Sequence, residues 1–195
     1  MRRRRFDRPL GLALALYVLT LPAACGRAAP PKLSYPRDTT DVIAFQERFT
    51  RRDCSLAEIT GVLGPIDESR PRFPQQWVIY LKPKSDVAKE VYLETDPEKF
   101  AEDSRKRDGA KFLEGIDGIG IRYANPIPVS FARLAAKYGE PNQGIINDDP
   151  KHASYFFNTK GEGLEGQLVF EVERRGETDV RPVTQVAFRR YRATP

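Results

Sequence analysis

A thirteen-residue segment of this chain recurs 75 residues further on, and that repetition restricts the fold more than any other feature. Ser55–Asp67 (SLAEITGVLGPID) aligns without a gap on Ser130–Asn142 (SFARLAAKYGEPN). Each copy opens with a serine, whose hydroxyl caps a helix by accepting a bond from an amide that the first turn leaves unpaired. Ser55 and Glu58 also have the spacing of a capping box. Leu56, Ile59 and Leu63 in one copy, and Phe131, Leu134 and Tyr138 in the other, recur at helical spacing. Gly64 and Gly139 stand where a left-handed helix end is wanted, and Pro65 and Pro141 stop any continuation. The pattern predicts two short capped helices, each with one buried face, in a chain made of two related halves. The competing reading is coincidence, since serine caps and glycine stops are common helix grammar.

The segments after the two copies are alike in kind. After the first, Gln76–Lys82 (QWVIYLK) and Ala88–Thr95 (AKEVYLET) read as strands around a polar turn at Ser85 and Asp86. After the second come Ser154–Thr159, Gln167–Arg175 and Val183–Tyr191. In the middle one Leu168, Phe170 and Val172 alternate with Glu171 and Glu173, the signature of a sheet with one wet face. Gly176–Asp179 reads as a hairpin turn. Upstream, Thr40 or Asp41 is placed to cap a helix over Val42–Arg52 with Ile43, Phe45 and Phe49 on its apolar face. Asp96, Pro97 and Glu98 open a further helix towards Leu113, which Asp108 and Gly109 interrupt. Ile119–Tyr123 is either a short strand or an extended lead-in. The expected fold class is α+β: a helix-turn-helix packed on an antiparallel sheet, as a tandem duplication over residues 39–95 and 96–195.

The N-terminus carries a separate message. Residues 2–8 are basic, Leu10–Leu21 is an apolar run, and Pro22, Ala23 and Ala24 lead to Cys25, the layout of a secretory signal over residues 1–24. Twelve helical residues span about 18 Å, too short for a hydrocarbon layer of about 30 Å. The signal holds a local charge of +4, which leaves +1 of the chain's +5 for residues 25–195, so the pI of 9.2 is no argument for nucleic acid as a partner. Arg27–Asp38 (RAAPPKLSYPRD) contains three prolines and reads as an extended tether running on from Cys25. Arg3, Arg4 and Arg5 before Phe6 fit either a generic basic leader or a twin-arginine export signal.

Leu21–Gly26 (LPAACG) resembles the lipobox of bacterial lipoproteins, in which the cysteine becomes the acylated first residue, although Pro22 stands where that family prefers leucine. The resemblance implies lipidation at Cys25 and, with Gly26 in place of aspartate, sorting to the outer membrane. Ordinary cleavage nearby is the alternative; it leaves a soluble secreted or periplasmic protein with Cys25 able to pair with Cys54. With Cys25 acylated, Cys54 is expected to be a small buried hydrophobe.

The segments SLAEITGVLGPID with QWVIYL, and SFARLAAKYGEPN with SYFFNT, QLVFEVE and VTQVAFRRY, resemble the fold shared by β-lactamase inhibitor proteins and the SmpA/OmlA-type lipoproteins of outer-membrane assembly. The tandem arrangement is similar to the inhibitors, and the signal ending in cysteine to the lipoproteins. The chain departs from both: it cannot form a disulfide in each helical pair, and it lacks the Gly-Met turn of the assembly lipoproteins.

Reactive chemistry is sparse. His152 is the one histidine, near Asp148 and Asp149 in a Pro-containing loop, and any serine triad has to use it. One histidine and two cysteines leave no zinc set, Asn147–Asp149 lacks the bidentate glutamate of a calcium loop, and Glu162 and Glu165 oppose a phosphate cradle at Gly161–Gly166. No metal or cofactor is expected. Phe188 and Tyr191 interleave with Arg189, Arg190 and Arg192 on the last strand. The leading expectation is a lipid-anchored, non-catalytic envelope protein that binds or scaffolds another protein, with Trp77, Tyr80, Tyr155, Phe156, Phe157, Arg189, Arg190 and Tyr191 as candidate contacts. A periplasmic hydrolase or envelope-polymer-modifying enzyme, and an inhibitor of a secreted enzyme, are the alternatives.

Overall fold

Asp38 starts the first helix, α1 (Thr39–Phe49), by accepting bonds from the amides of Thr40 at 2.7 Å and Asp41 at 3.0 Å. The cap therefore falls just before Thr40 and Asp41, because Asp41 turns back to receive the Ser34 hydroxyl at 3.3 Å and the Arg37 amide at 3.2 Å. In α2 (Leu56–Leu63) the Ser55 hydroxyl takes the Glu58 amide, and in α3 (Phe131–Tyr138) Ser130 does the same for Arg133. Gly64 and Gly139 end these two helices at φ +135° and +87°. Glu58 directs its carboxylate to the mostly buried Arg48 guanidinium, at 2.7 and 2.5 Å, which ties α1 to α2.

These contacts come from a computed structural model, which describes residues 32–51, 54–67, 78–95, 116–144, 151–160, 164–173 and 178–191. The helices pack on one antiparallel sheet of seven strands: β1 (Val78–Leu81), β2 (Ala88–Thr95), β3 (Ile116–Ser130), β4 (Asn142–Gly144), β5 (His152–Lys160), β6 (Glu165–Glu173) and β7 (Val180–Tyr191). Their order across the sheet is β1-β2-β3-β7-β6-β5-β4. The α+β class and the antiparallel sheet are as expected. Trp77, the expected helix over residues 96–113 and the first half of the Gly176–Asp179 turn lie outside the described residues.

Register assigns every strand residue to a face. Ile119, Phe188, Leu168 and Phe157 form one inward row, and Ile121, Val186, Phe170 and Tyr155 the next. Phe45 of α1 lies on Phe188 with ring centroids 4.4 Å apart, and Phe131 of α3 meets Tyr155, Phe157 and Phe170 at 5.0 to 5.5 Å. Each fully buried Phe contributes roughly 1.5–3 kcal/mol, so this helix-facing side holds the fold together. Cys54 is fully buried in the same core, as its composition suggested.

Two features were not anticipated. β3, expected to be short or absent, is the longest strand, with 15 residues, and sits at the centre beside β7. Past Val183 and Tyr123 the pairings with β6 and β2 have ended, and Ile127–Ser130 with Val180–Val183 continue as a two-stranded ribbon. Pro128 and Pro182 oppose each other there, in the part of these strands that neither β2 nor β6 pairs with. Second, the outer part of the tether is domain: Leu33 is 4% exposed and belongs to the core, with Tyr35 packed against it. The seven residues 26–32 are what separates Cys25 from the first core residue.

Candidate functional site: the open face of the sheet

No described helix covers the other side of the sheet, and the period-2 geometry of its strands decides what appears there. The middle row reads Tyr80, Tyr92, Gly120, Ala187, Val169, Phe156 from β1 to β5. Aromatic side chains stand at both flanks and the smallest residues at the centre. The Tyr92 ring lies on Gly120, where an added Cβ would sit 2.0 Å from the ring, so glycine is required for that ring position. Tyr80 meets Tyr92 edge-on at 6.4 Å.

Polar rows border this stripe. On one side Glu94, Gly118, Arg189, Gln167 and Asn158 succeed one another; on the other, Glu90, Arg122, Gln185, Glu171 and Ser154. Arg189 Nε donates to Glu94 at 3.3 Å, and Arg122 approaches Glu90 at 3.5 Å while its Nε donates to Gln185 Oε1 at 3.3 Å. Gln185 Nε2 in turn donates to the Tyr92 hydroxyl at 2.9 Å. Gln167 Nε2 donates to Asn158 at 3.2 Å. Burial, reinforced by Glu94, pushes the Tyr92 phenol up to about 12, so Tyr92 stays a neutral hydroxyl at physiological pH. On Arg189 burial opposes the charge, yet Glu94 outweighs it and holds the guanidinium above its ordinary pKa. The face is a set of mutually engaged side chains that offers shape and hydrogen-bonding capacity.

The candidate contacts divide accordingly. Tyr80, Phe156 and Arg189 are on the open face, half-buried, and Tyr191 is 45% exposed at its border. Tyr155, Phe157 and Arg190 face the opposite way, which removes them from any docking surface on the open side. Phe157 is fully buried, and Tyr155 packs edge-on against Phe131 with the Arg181 guanidinium 4.4 Å from its ring. Arg190 lies over the Phe49 ring at 4.8 Å and donates to the carbonyls of Ile116 at 2.8 Å and Phe49 at 3.4 Å, fastening β7 to β3 and α1. Adjacent residues of a strand point to opposite sides, so neither the run of residues 155–157 nor that of 189–191 can present all its members together. Sequence reasoning passed over Glu90, Tyr92, Glu94, Arg122 and Gln185; the alternation in Ala88–Thr95 was the available signal for the first three.

His152 stands on β5 opposite Glu173, and Asp148 and Asp149 lie outside the described residues. Among the described residues no three His, Cys, Asp or Glu side chains are grouped to hold a metal, and no helix is long and apolar enough to cross a membrane. No protein-family model, curated protein or solved structure matches this chain.

Proposed function

We propose that this chain is a lipid-anchored protein of the bacterial cell envelope, held by Cys25 at the outer membrane and facing the periplasm, that binds or scaffolds another envelope protein without catalysing a reaction. The observation that carries the reading is the uncovered middle row, aromatic at both flanks and bordered by polar side chains that already engage one another. Such a face loses little side-chain freedom on docking, which lowers the entropic cost of association. Tyrosine and arginine are also the residue types enriched where proteins meet.

We further infer that the platform is a duplication of one α+β unit with a helix-turn-helix at its start. The registers extend the correspondence from the helices into the strands. Asp67 donates its amide to the Tyr80 carbonyl at 2.9 Å, and its counterpart Asn142 pairs with Phe156, so Tyr80 corresponds to Phe156. From there Tyr92 corresponds to Val169, and Gly120 to Ala187, so in this reading the first unit includes β3 and extends past the expected boundary at residue 95. Gly120 and Ala187 are each other's partners, which puts a twofold axis through that pair. The same operation matches Arg122 with Arg189, Glu94 with Glu171, and inward Val91 and Leu93 with Leu168 and Phe170.

The test joins anchor and surface. Intact mass of the mature chain is expected to show an acylated Cys25. Tyr80→Ala with Phe156→Ala is expected to leave the circular dichroism spectrum unchanged and to lose, at least tenfold, a partner that the native chain retains from detergent-solubilised envelopes. An unmodified Cys25 removes the anchor. Undiminished retention by the double variant removes the surface.

A further inference from the structure

The geometry points to one pole of the molecule, formed by the β3–β7 ribbon and the N-terminal segment, as a surface that rests on the lipid bilayer; this inference depends on the reading of Cys25 as the anchor. Its first support is length. Leu33 is sunk in the core, and Ser34 and Arg37 are fastened to Asp41 of α1, so the leash is residues 26–32. Eight residue steps span at most about 29 Å even when fully drawn out. β7, whose 12 residues run the height of the sheet, measures about 36 Å. A leash shorter than the sheet is tall keeps the end at which it is attached nearest the membrane.

That end is identified by contacts. The Ser130 amide donates to Thr39 Oγ1 at 2.8 Å, so α1 begins beside the tip of β3, and Ser130 pairs with Val180. Val180 is 51% exposed, the most exposed large apolar side chain among the described residues. Pro126 and Pro128 are exposed beside it. Pro128 and Pro182 have no amide hydrogen, so at these positions the ribbon presents no donor that would be costly to withdraw from water. Lys32, Arg37 and Arg133 are exposed at this pole, whereas Asp38 and Asp179 are engaged by the amides that open α1 and α3. The cations Lys32, Arg37 and Arg133 stand among the carboxylates of Asp38, Asp41 and Asp179, so this is a small apolar tip in a ring of mixed charge, which suits contact at the level of zwitterionic headgroups. In this pose the strands stand upright and the open face looks along the membrane, so the partner is another protein held within about 35 Å of the same bilayer.

The test uses the mature, acylated chain reconstituted in phosphatidylethanolamine and phosphatidylglycerol vesicles that contain a lipid with a nitroxide at the headgroup. An environment-sensitive fluorophore is attached at Val180→Cys or, at the opposite pole, Tyr191→Cys; Cys54 is buried and does not compete for the label. Both chains are expected to float with the vesicles, and the label at position 180 is expected to be quenched at least twofold more than that at 191. Flotation with equal or reversed quenching overturns the orientation alone. Failure of both chains to float overturns the anchor, and this inference with it.

Discussion

Gly64 and Gly139 end α2 and α3 at positive φ, yet their surroundings differ, and substitution separates backbone strain from contact. A Cβ at Gly64 would lie 1.8 Å from the Lys82 carbonyl oxygen, while one at Gly139 meets nothing within 4 Å. Both glycines combine positive φ with an extended ψ, 173° at Gly139 and 160° at Gly64, a region almost reserved to glycine; Gly139→Ala is expected to cost about 1–3 kcal/mol from that strain alone, and Gly64→Ala clearly more, because the carbonyl belongs to backbone that cannot step aside. Urea denaturation of the two variants checks this; equal losses would contradict it. The tyrosines make a second residue-scale prediction. Burial pushes Tyr35 and Tyr92 up to about 12, and Tyr123 and Tyr138 higher. Unfolded tyrosine ionises near 10, so above that pH the folded chain binds more protons than the unfolded one, and stability falls as pH rises from about 10 towards 12. Urea midpoints measured from pH 8 to 11.5 are expected to hold level and then drop, with a shallower drop in Tyr92→Phe.

Among the elements, β7 is the one whose fastening is most specific, because Arg190 reaches from it to carbonyls of β3 and α1. Arg190→Ala leaves those acceptors in the interior without their donor and is expected to cost about 2–4 kcal/mol, read from thermal or urea unfolding; a loss below 1 kcal/mol would show the guanidinium to be dispensable. Sequence reasoning took Arg190 for a surface contact, and the reason is instructive. Alternation along a strand says that Arg189 and Tyr191 share a side and that Arg190 takes the other, but which side is inward is set by register with β3 and β6. The same holds for Tyr155, Phe156 and Phe157. Where a period stood clear, the reading was sound: β2 matches Ala88–Thr95 residue for residue, β6 buries Leu168, Phe170 and Val172, and the caps of α2 and α3 are where Ser55 and Ser130 put them. β3 runs well beyond the short strand or lead-in expected at Ile119–Tyr123, and Gly118, Gly120, Pro126 and Pro128 are residue types that weaken a strand pattern. Their compensations are tertiary: Gly120 admits the Tyr92 ring, and Pro128 lies beyond the reach of β2. β4, with three residues, is too short to show a period.

For the whole molecule, the sheet order places β3 and β7 side by side in the interior of the sheet, so neither leaves a long edge open to pairing with strangers. The open side is one continuous face, with Tyr80 and Tyr92 on one flank and Phe156 and Val169 on the other. A partner that uses the face as a unit contacts both flanks. The most direct test is site-specific photocrosslinking in intact cell envelopes, with a photoreactive residue placed in turn at Tyr80, at Phe156 and, on the helical side, at the exposed Ala57. The account predicts one adduct of the same mass from Tyr80 and Phe156 and none from Ala57; an adduct from Ala57 alone, or different adducts from the two flanks, would contradict it.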